Sequence, residues 1–301
     1  MHMASATNSG SISLRMERRA VATEFDPPAE FRSGTCEFLP SLLQCRRVEV
    51  AVEYIDAKAL SAMDPSVFQH AEPFPWINPA GFLTDAGFAR LVANLPDVSQ
   101  FTSAIDAMRV RKYGQKNHDR FVLEYVDGID IPLPWQELID ELRGDRYRAF
   151  IASLLGHRHF RFRFHWHYTP GSCSVSPHCD SRTKLGSHIF YLNTRPSWDP
   201  AWGGETVILD DHGRFDVDSS PAFEDFDSAV PAQTMDNRSL IFSRRGNSWH
   251  GVRAIECPEG ALRKVFIVVF EDYRRVRMLT KRMTRLIKGK PLVAEKELGM
   301  Y

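Results

Sequence analysis

The sequence predicts an α+β protein with a mainly helical N-terminal region, an antiparallel sandwich or barrel, and a basic C-terminal helix. Three observations predict it. Apolar residues recur at helical spacing in the segments from Thr84 and from Pro134. From HFRFRFHWHY (159–168) the period falls to two, and short apolar runs follow one another with no helices between them. The stretch RRVRMLTKRMTRLIKGK (274–290) carries eight basic residues and no acid, with Val276, Leu279, Met283 and Leu286 at helical spacing.

Taken in order, residues 1–20 are rich in Ser, Asn and Arg without periodicity and are expected to be disordered. Residues 21–157 form a helical support region for the core. Within it VEVAVEYI (48–55) reads as a strand. Thr84 reads as the N-cap of a helix whose apolar residues are Phe88, Leu91, Val92 and Leu95. A second helix is predicted from Pro134 to about Leu155, with Leu138, Ile139, Leu142, Tyr147, Phe150, Ile151 and Leu154 on one side.

Residues 158–272 are the predicted β core. In its first strand Phe160, Phe162, Phe164, Trp166 and Tyr168 face one way, and His159, Arg161, Arg163, His165 and His167 the other. SHIFYLN, ETVILD, SLIFSR and KVFIVVFED supply further strands. Residues 210–238 form an acidic connection too long for an ordinary hairpin loop, either a substrate lid or an insertion. Residues 273–301 are the basic tail, read as a helix packed on the domain with a solvated cationic face.

Composition excludes several function classes. The 301 residues are 43% hydrophobic and 25% charged, and 38 basic residues balance 38 acidic ones. No whole-chain attraction to nucleic acid follows, and no nucleic-acid partner is expected. No run approaches the length of a membrane span. The N-terminus lacks the apolar core of a secretory signal. Five cysteines without CxxC spacing predict no disulfide framework, and the expected location is the cytoplasm.

The chemistry concentrates in SPHCDSRTKLGSHIFYLN (176–193). If this segment is extended, His178 and Asp180 project from one face and Cys179 from the other. An imidazole and a carboxylate two residues apart can clasp one ion, and such a mixed N/O set suits Fe(II) or Zn(II) rather than a thiolate site. The candidate second imidazole is His250 in NSWHGV, just after the strand SLIFSR. Thirteen residues later the basic pair Arg263-Lys264 opens an apolar strand, where a guanidinium can hold a carboxylate bidentately.

In order and spacing, residues 158–272 resemble the 2-oxoglutarate- and Fe(II)-dependent oxygenases, in particular their prolyl 4-hydroxylase-like branch. The resemblance is carried by His178-Cys179-Asp180, Tyr191-Leu192-Asn193, Gly203-Gly204-Glu205, His250 and Arg263. It implies a double-stranded β-helix (jelly-roll) core. It implies that His178, Asp180 and His250 bind Fe(II) and are catalytic. It also implies that Arg263, or its rival Lys264, pairs with the distal carboxylate of 2-oxoglutarate. Tyr168, in YTPG, and Tyr191 are the implied co-substrate tyrosines; each has an alternative role as a core tyrosine. The implied reaction uses O2, sometimes with ascorbate in support. It hydroxylates an unactivated C–H of an amino-acid-like or other small molecule, with release of succinate and CO2. A peptidyl (prolyl) substrate is the alternative. The intact carboxylate at Asp180 argues hydroxylation, or a variant such as desaturation, because related halogenases lack it. Two features depart from the family: a longer gap between His250 and Arg263, carrying CPEG, and the acidic segment 210–238.

Rival readings attach to single residues and to the whole. Cys179 reads as structural and His188 as a packed core histidine. The cluster His157, His159, His165 and His167 is disfavoured as a second metal site by the interleaved Arg161 and Arg163. Trp202 and Trp249 read as core. A non-catalytic metal-binding sensor and a zinc hydrolase are the alternatives of another class.

Overall fold

The computed structural model describes residues 52–105, 118–274 and 280, all within one compact unit, Val50–Tyr301. The segment 1–20, most of the strand expected at 48–55, and nearly all of the basic tail lie outside the described residues.

Three helices lead in, and each begins where the sequence offers a cap. Helix α1 (Ala57–Ala62) starts at Asp56, whose carboxylate accepts from two backbone N–H groups, and α2 (Pro65–Gln69) starts at Asp64 with proline in its first turn. Strand β1 (Trp76–Ile77) follows. Helix α3 (Asp85–Ala93) begins at Thr84 as expected, the threonine hydroxyl accepting from Gly87 N–H at 3.1 Å. Of the strand predicted at 48–55, the described part contributes a single bridge, Ile55 to Leu83. Short strands β2 (Thr102–Ser103) and β3 (Phe121–Glu124) come next.

The helix predicted from Pro134 to Leu155 is two helices, α4 (Leu133–Arg143) and α5 (Asp145–Leu155). Gly144 divides them with φ −64° and ψ 160°, an extended residue that ends one helix and starts the next. The apolar stripe continues across the break, so periodicity alone does not reveal it. Leu138, Ile139, Leu142, Tyr147, Ile151 and Leu154 are all fully buried.

Eight strands then wind into a double-stranded β-helix. They are β4 (Phe160–Thr169), β5 (Val175–His178), β6 (Lys184–Tyr191), β7 (Val207–Asp210), β8 (Ser228–Pro231), β9 (Ser239–Ser243), β10 (His250–Val252) and β11 (Arg263–Asp272). Strands β4, β6, β9 and β11 belong to a seven-stranded sheet ordered β1-β9-β6-β11-β4-β3-β2; β5, β7, β8 and β10 form a sheet ordered β5-β10-β7-β8. The chain changes sheet at every connection except the β7–β8 hairpin, so the first four strands and the last four coil alongside one another. Strand β8 lies inside the long acidic connection and pairs with β7.

Strand alternation decides what each face does. On the outer face of the large sheet, Phe164, Trp166, Phe190, Phe266 and Phe270 join the helices in one apolar cluster. Trp135 of α4 meets Trp166 edge-on at 5.3 Å and Phe266 at 5.1 Å. His188 also points this way, its Nδ1 2.9 Å from the Tyr147 hydroxyl, so it is the packed core histidine that was expected. On the inner face, Ile189, Tyr191, Leu240, Phe242 and Val265 pack against Ile208 of the small sheet. Trp249 is buried against Phe215 and Phe226 of the long connection, a core role.

The inner face of β4 ends in an ion-pair network. The Glu271 carboxylate accepts from Arg161 at 2.7 Å and from Arg163 at 2.7 Å, and Arg163 also reaches Glu124 at 2.6 Å. Burial alone would raise the Glu271 pKa; the bonds from Arg163 and Arg161 outweigh it and hold the carboxyl below its ordinary value. Both arginines are partly solvated, which moderates the energy. Glu271→Gln is expected to cost about 1–3 kcal/mol at neutral pH. Because the folded pKa is depressed, this stabilisation is present above the unfolded value near 4 and disappears as pH falls through the folded one. Denaturation of wild type and variant at neutral and acid pH measures the gap and its closure.

Candidate metal centre

Strands β5 and β10 pair antiparallel with His178 directly opposite His250. The two imidazoles face each other with centroids 4.4 Å apart. Asp180, two residues past His178 in the turn before β6, completes a group whose ligand atoms all lie within 4.8 Å of one another. Among the described residues this is the one such cluster of histidine, cysteine and acidic side chains. The histidines 157, 159, 165 and 167 form none, in keeping with the sequence reading.

The local bonds prepare this group for a cation. His178 Nδ1 lies 3.0 Å from the Ser176 carbonyl, and His250 Nδ1 lies 3.0 Å from the Ser248 carbonyl. A carbonyl only accepts, so each Nδ1 carries the proton and each neutral ring keeps its Nε2 lone pair for a ligand. Burial, then the neighbouring His250, pushes His178 down to about 3; burial likewise lowers His250. Burial would raise Asp180, but Lys184, His250 and His178 outweigh it and the carboxyl sits well below its ordinary value. The Lys184 ammonium donates to Asp180 Oδ1 at 2.7 Å, and Arg244 Nε donates to the Asp180 backbone carbonyl at 3.1 Å. Two neutral imidazoles and one ionised carboxylate on one side of a prospective ion fit a divalent metal.

Cys179 turns away, as alternation predicts. Its thiol lies 3.5 Å from the Gly246 carbonyl, and burial pushes its pKa up to about 12, which suits a structural thiol rather than a thiolate ligand.

These histidines also set a pH dependence for the metal-free protein. His178 and His250, with the fully buried His188, are neutral in the fold at pH values where the unfolded chain protonates near 6.5. Their folded pKa values are depressed, so the unfolded state binds more protons below 6.5 and stability falls with pH from there toward the folded values. Chelator-treated protein is expected to lose stability steeply between about pH 6.5 and 5, at up to about 1.4 kcal/mol per pH unit for each histidine. Thermal melts across that range measure it.

The triad lines a cavity of about 670 Å³ between the sheets. Ile189, Phe242, Val265 and Ile267 form its apolar walls, and Arg263 reaches into it from the start of β11. Arg263 is 8% exposed and forms no ion pair among the described residues. Its Nε donates to the Gly204 carbonyl, and its Nη2 donates to Thr206 Oγ1 at 3.3 Å. The glycine turn makes this possible. Gly203 and Gly204 have φ of 74° and 93°, and a Cβ on Gly204 would lie 3.0 Å from Arg263 Cδ. Lys264, the rival cation, points to the helix side, its Nζ 5.9 Å from the Tyr168 ring centre.

The two tyrosines stand elsewhere. Tyr168 is on the outer face, stacked on Phe101 at 4.3 Å with its hydroxyl donating to the Pro96 carbonyl at 3.2 Å, so the structure does not bring it to the cavity. Tyr191 is buried behind the wall. Its hydroxyl donates to Thr206 Oγ1 at 2.9 Å, and the Arg263 guanidinium lies 5.7 Å from its ring centre. It supports Thr206 and Arg263 rather than lining the cavity. Thr206 and Lys184 are the residues that sequence reasoning missed. The available signals were the position of Thr206 straight after Gly-Gly-Glu and the spacing of Lys184 four residues after Asp180.

The long connection also reaches the cavity. Val217 and Asp218 line it, and Asp218 pairs with Arg182 at 3.0 Å.

No family model matches the chain, and no curated protein matches it by sequence. Solved structures do match by shape. A prolyl-4-hydroxylase from Pseudomonas putida aligns over 70% of this chain and 98% of its own, with a TM-score of 0.51 at 16% identity. A prolyl hydroxylase from Trichoplax adhaerens, solved with a peptide fragment of the hypoxia inducible factor oxygen degradation domain, aligns over 73% of this chain and 92% of its own. Its TM-score is 0.52 at 14% identity. The fold is shared. The double-stranded β-helix implied by the order of sequence motifs is the architecture of both hydroxylases. Among the described residues, no helix is long and apolar enough to cross a membrane.

Proposed function

We propose that this protein is a 2-oxoglutarate- and Fe(II)-dependent oxygenase. In this reading it hydroxylates an unactivated C–H bond of an amino-acid-like or other small molecule and releases succinate and CO2. The supporting observation is Arg263, a buried guanidinium without an ion-pair partner among the described residues, in the same cavity as the triad. Burial lowers the Arg263 pKa, and Glu205 offsets it only from beyond salt-bridge distance; a buried cation so placed is costly, and a site that keeps one is suited to an anion. A zinc hydrolase or a metal sensor has no use for a carboxylate clamp at that place.

In this reading His178, Asp180 and His250 would hold Fe(II) and present it to the cavity. The iron, when bound, supplies the oxygen activation that no side chain can. The chain does the positioning. Ser176 and Ser248 orient the two imidazoles through their carbonyls. Lys184 takes part of the negative charge of Asp180. Arg263 and Thr206 receive the distal carboxylate of 2-oxoglutarate, and Ile189, Phe242 and Val265 keep that end of the cavity dry. Val217 and Asp218 on the cavity wall favour a small molecule over a protein segment, because the long connection occupies space that a peptide would need.

The test is succinate release from 2-oxoglutarate in air with Fe(II) and ascorbate, compared with His178→Ala. The reading expects metal-dependent succinate that the variant does not form. Tight zinc binding with no 2-oxoglutarate consumption across a substrate panel contradicts it.

A further inference from the structure

Strand β6 changes face near its start. Where β11 advances one residue, from Phe270 to Glu271, its partner positions on β6 go back two, from Gly186 to Lys184. Leu185 is therefore an extra residue, a bulge in β6. Gly186 sits at the bend, where a Cβ would collide with the Phe242 carbonyl of β9. By strict alternation Lys184 would share the helix side with His188 and Phe190. The bulge exchanges the two faces. Leu185 packs on the helix-side cluster, and Lys184 lines the cavity together with Ser187 and Ile189.

The redirected ammonium meets a residue of the triad. Lys184 stands opposite Glu271 in the sheet, but that carboxylate is engaged by Arg161 and Arg163, each at 2.7 Å. Lys184 donates instead to Asp180 Oδ1 at 2.7 Å. The Lys184 and Asp180 side chains are 29% and 9% exposed, so water screens the pair incompletely. An ion bound by Asp180 therefore has a fixed positive charge one ligand away. The two neutral imidazoles add none. Such a charge discriminates between oxidation states. Fe(III) carries one more positive charge than Fe(II), and a neighbouring cation disfavours it twice, by direct repulsion and by drawing electron density from the carboxylate.

We propose, resting on the oxygenase reading, that Lys184 is a positioning residue that raises the Fe(III)/Fe(II) potential of the centre and so keeps its iron ferrous. The oxidation it opposes is the loss of one electron from Fe(II) to dissolved O2, which becomes superoxide. A higher potential makes that loss less favourable and reduces the need for ascorbate, the reductant that returns the electron. The bulge at Leu185 is the device that delivers the charge, since it alone brings Lys184 to the cavity face.

The experiment is a mediated redox titration of the full chain loaded with iron, under anaerobic conditions and without 2-oxoglutarate. Wild type is compared with Lys184→Gln, Lys184→Met and Lys184→Arg. Zinc affinity and thermal melts on the same preparations report the site and the fold with an ion that has no redox chemistry. The two uncharged variants are expected to shift the balance toward Fe(III) by about ten-fold or more, a fall in potential of about 59 mV or more. Lys184→Arg is expected to stay near wild type, because it keeps the charge. The proposal is overturned if an uncharged variant binds zinc and keeps the wild-type potential, or if Lys184→Arg falls as far as Lys184→Gln. Loss of zinc binding or of the fold in both uncharged variants also overturns it, by making Lys184 a structural anchor for Asp180. Wild type that binds iron but no 2-oxoglutarate defeats the oxygenase reading instead, while the titration still judges Lys184.

Discussion

His250→Ala is expected to lower divalent-metal affinity by at least about 100-fold and to abolish metal-dependent turnover of 2-oxoglutarate. Loss of a group that only orients a ligand costs about 10–100-fold, so loss of the ligand itself sets a floor at the top of that range. The same applies to His178→Ala and Asp180→Ala, because the three ligand atoms lie within 4.8 Å of one another and no other such cluster exists among the described residues. The variant's fold should survive. His250 is on a three-residue strand whose pairing with β5 and β7 uses backbone groups, and removing the ring relieves the burial of a polar side chain. Metal titration followed by calorimetry, with a thermal melt on the same sample, separates loss of the site from loss of the fold. Retention of wild-type affinity by any one of the three variants removes that residue from the centre.

Arg263→Gln is expected to weaken 2-oxoglutarate binding by about 30-fold to several thousand-fold, the effect of removing one partner from a buried charged pair worth roughly 2–5 kcal/mol. Metal affinity should not change. Arg263→Lys should fall between, because an ammonium cannot reproduce the forked contact or reach Gly204 and Thr206 together. A further consequence concerns stability. In the ligand-free protein Arg263 is a buried charge without a salt-bridge partner among the described residues, so Arg263→Gln should not lower the melting temperature and is expected to raise it slightly. A site-forming residue that costs stability in the empty protein is the usual pattern at binding centres. Binding isotherms and melts on the same preparations measure both effects, and a large fall in melting temperature would make Arg263 a structural residue.

Much of the core was legible because its signals are local or strictly periodic. The alternation in HFRFRFHWHY puts the aromatic residues on one face and the polar ones on the other, and the structure then turns the aromatic face to the helices and His167 to the cavity. The same alternation separates Arg263 from Lys264 and Cys179 from its neighbours. Asp180 lies beyond the end of β5, in a turn, yet still comes round to the His178 side. The breaks in the reading have physical causes. Gly144 interrupts a helix without disturbing its apolar stripe, because the two pieces bury the same face. Strands β1, β2 and β10 span two or three residues, too few to show a period. Tyr168 was placed by its YTPG context, but it shares a face with Trp166 and therefore belongs to the helix side. Lys184 and Thr206 were missed because their roles depend on partners brought together by the fold, Asp180 across a turn and Arg263 across 57 residues of chain.

The most direct test of the central claim needs no knowledge of the substrate. Anaerobic titration of 2-oxoglutarate into the Fe(II)-loaded protein is expected to give saturable one-to-one binding that disappears without metal, with His178→Ala and with Arg263→Gln. Binding that ignores the metal, or that Arg263→Gln leaves at wild-type strength, would contradict it.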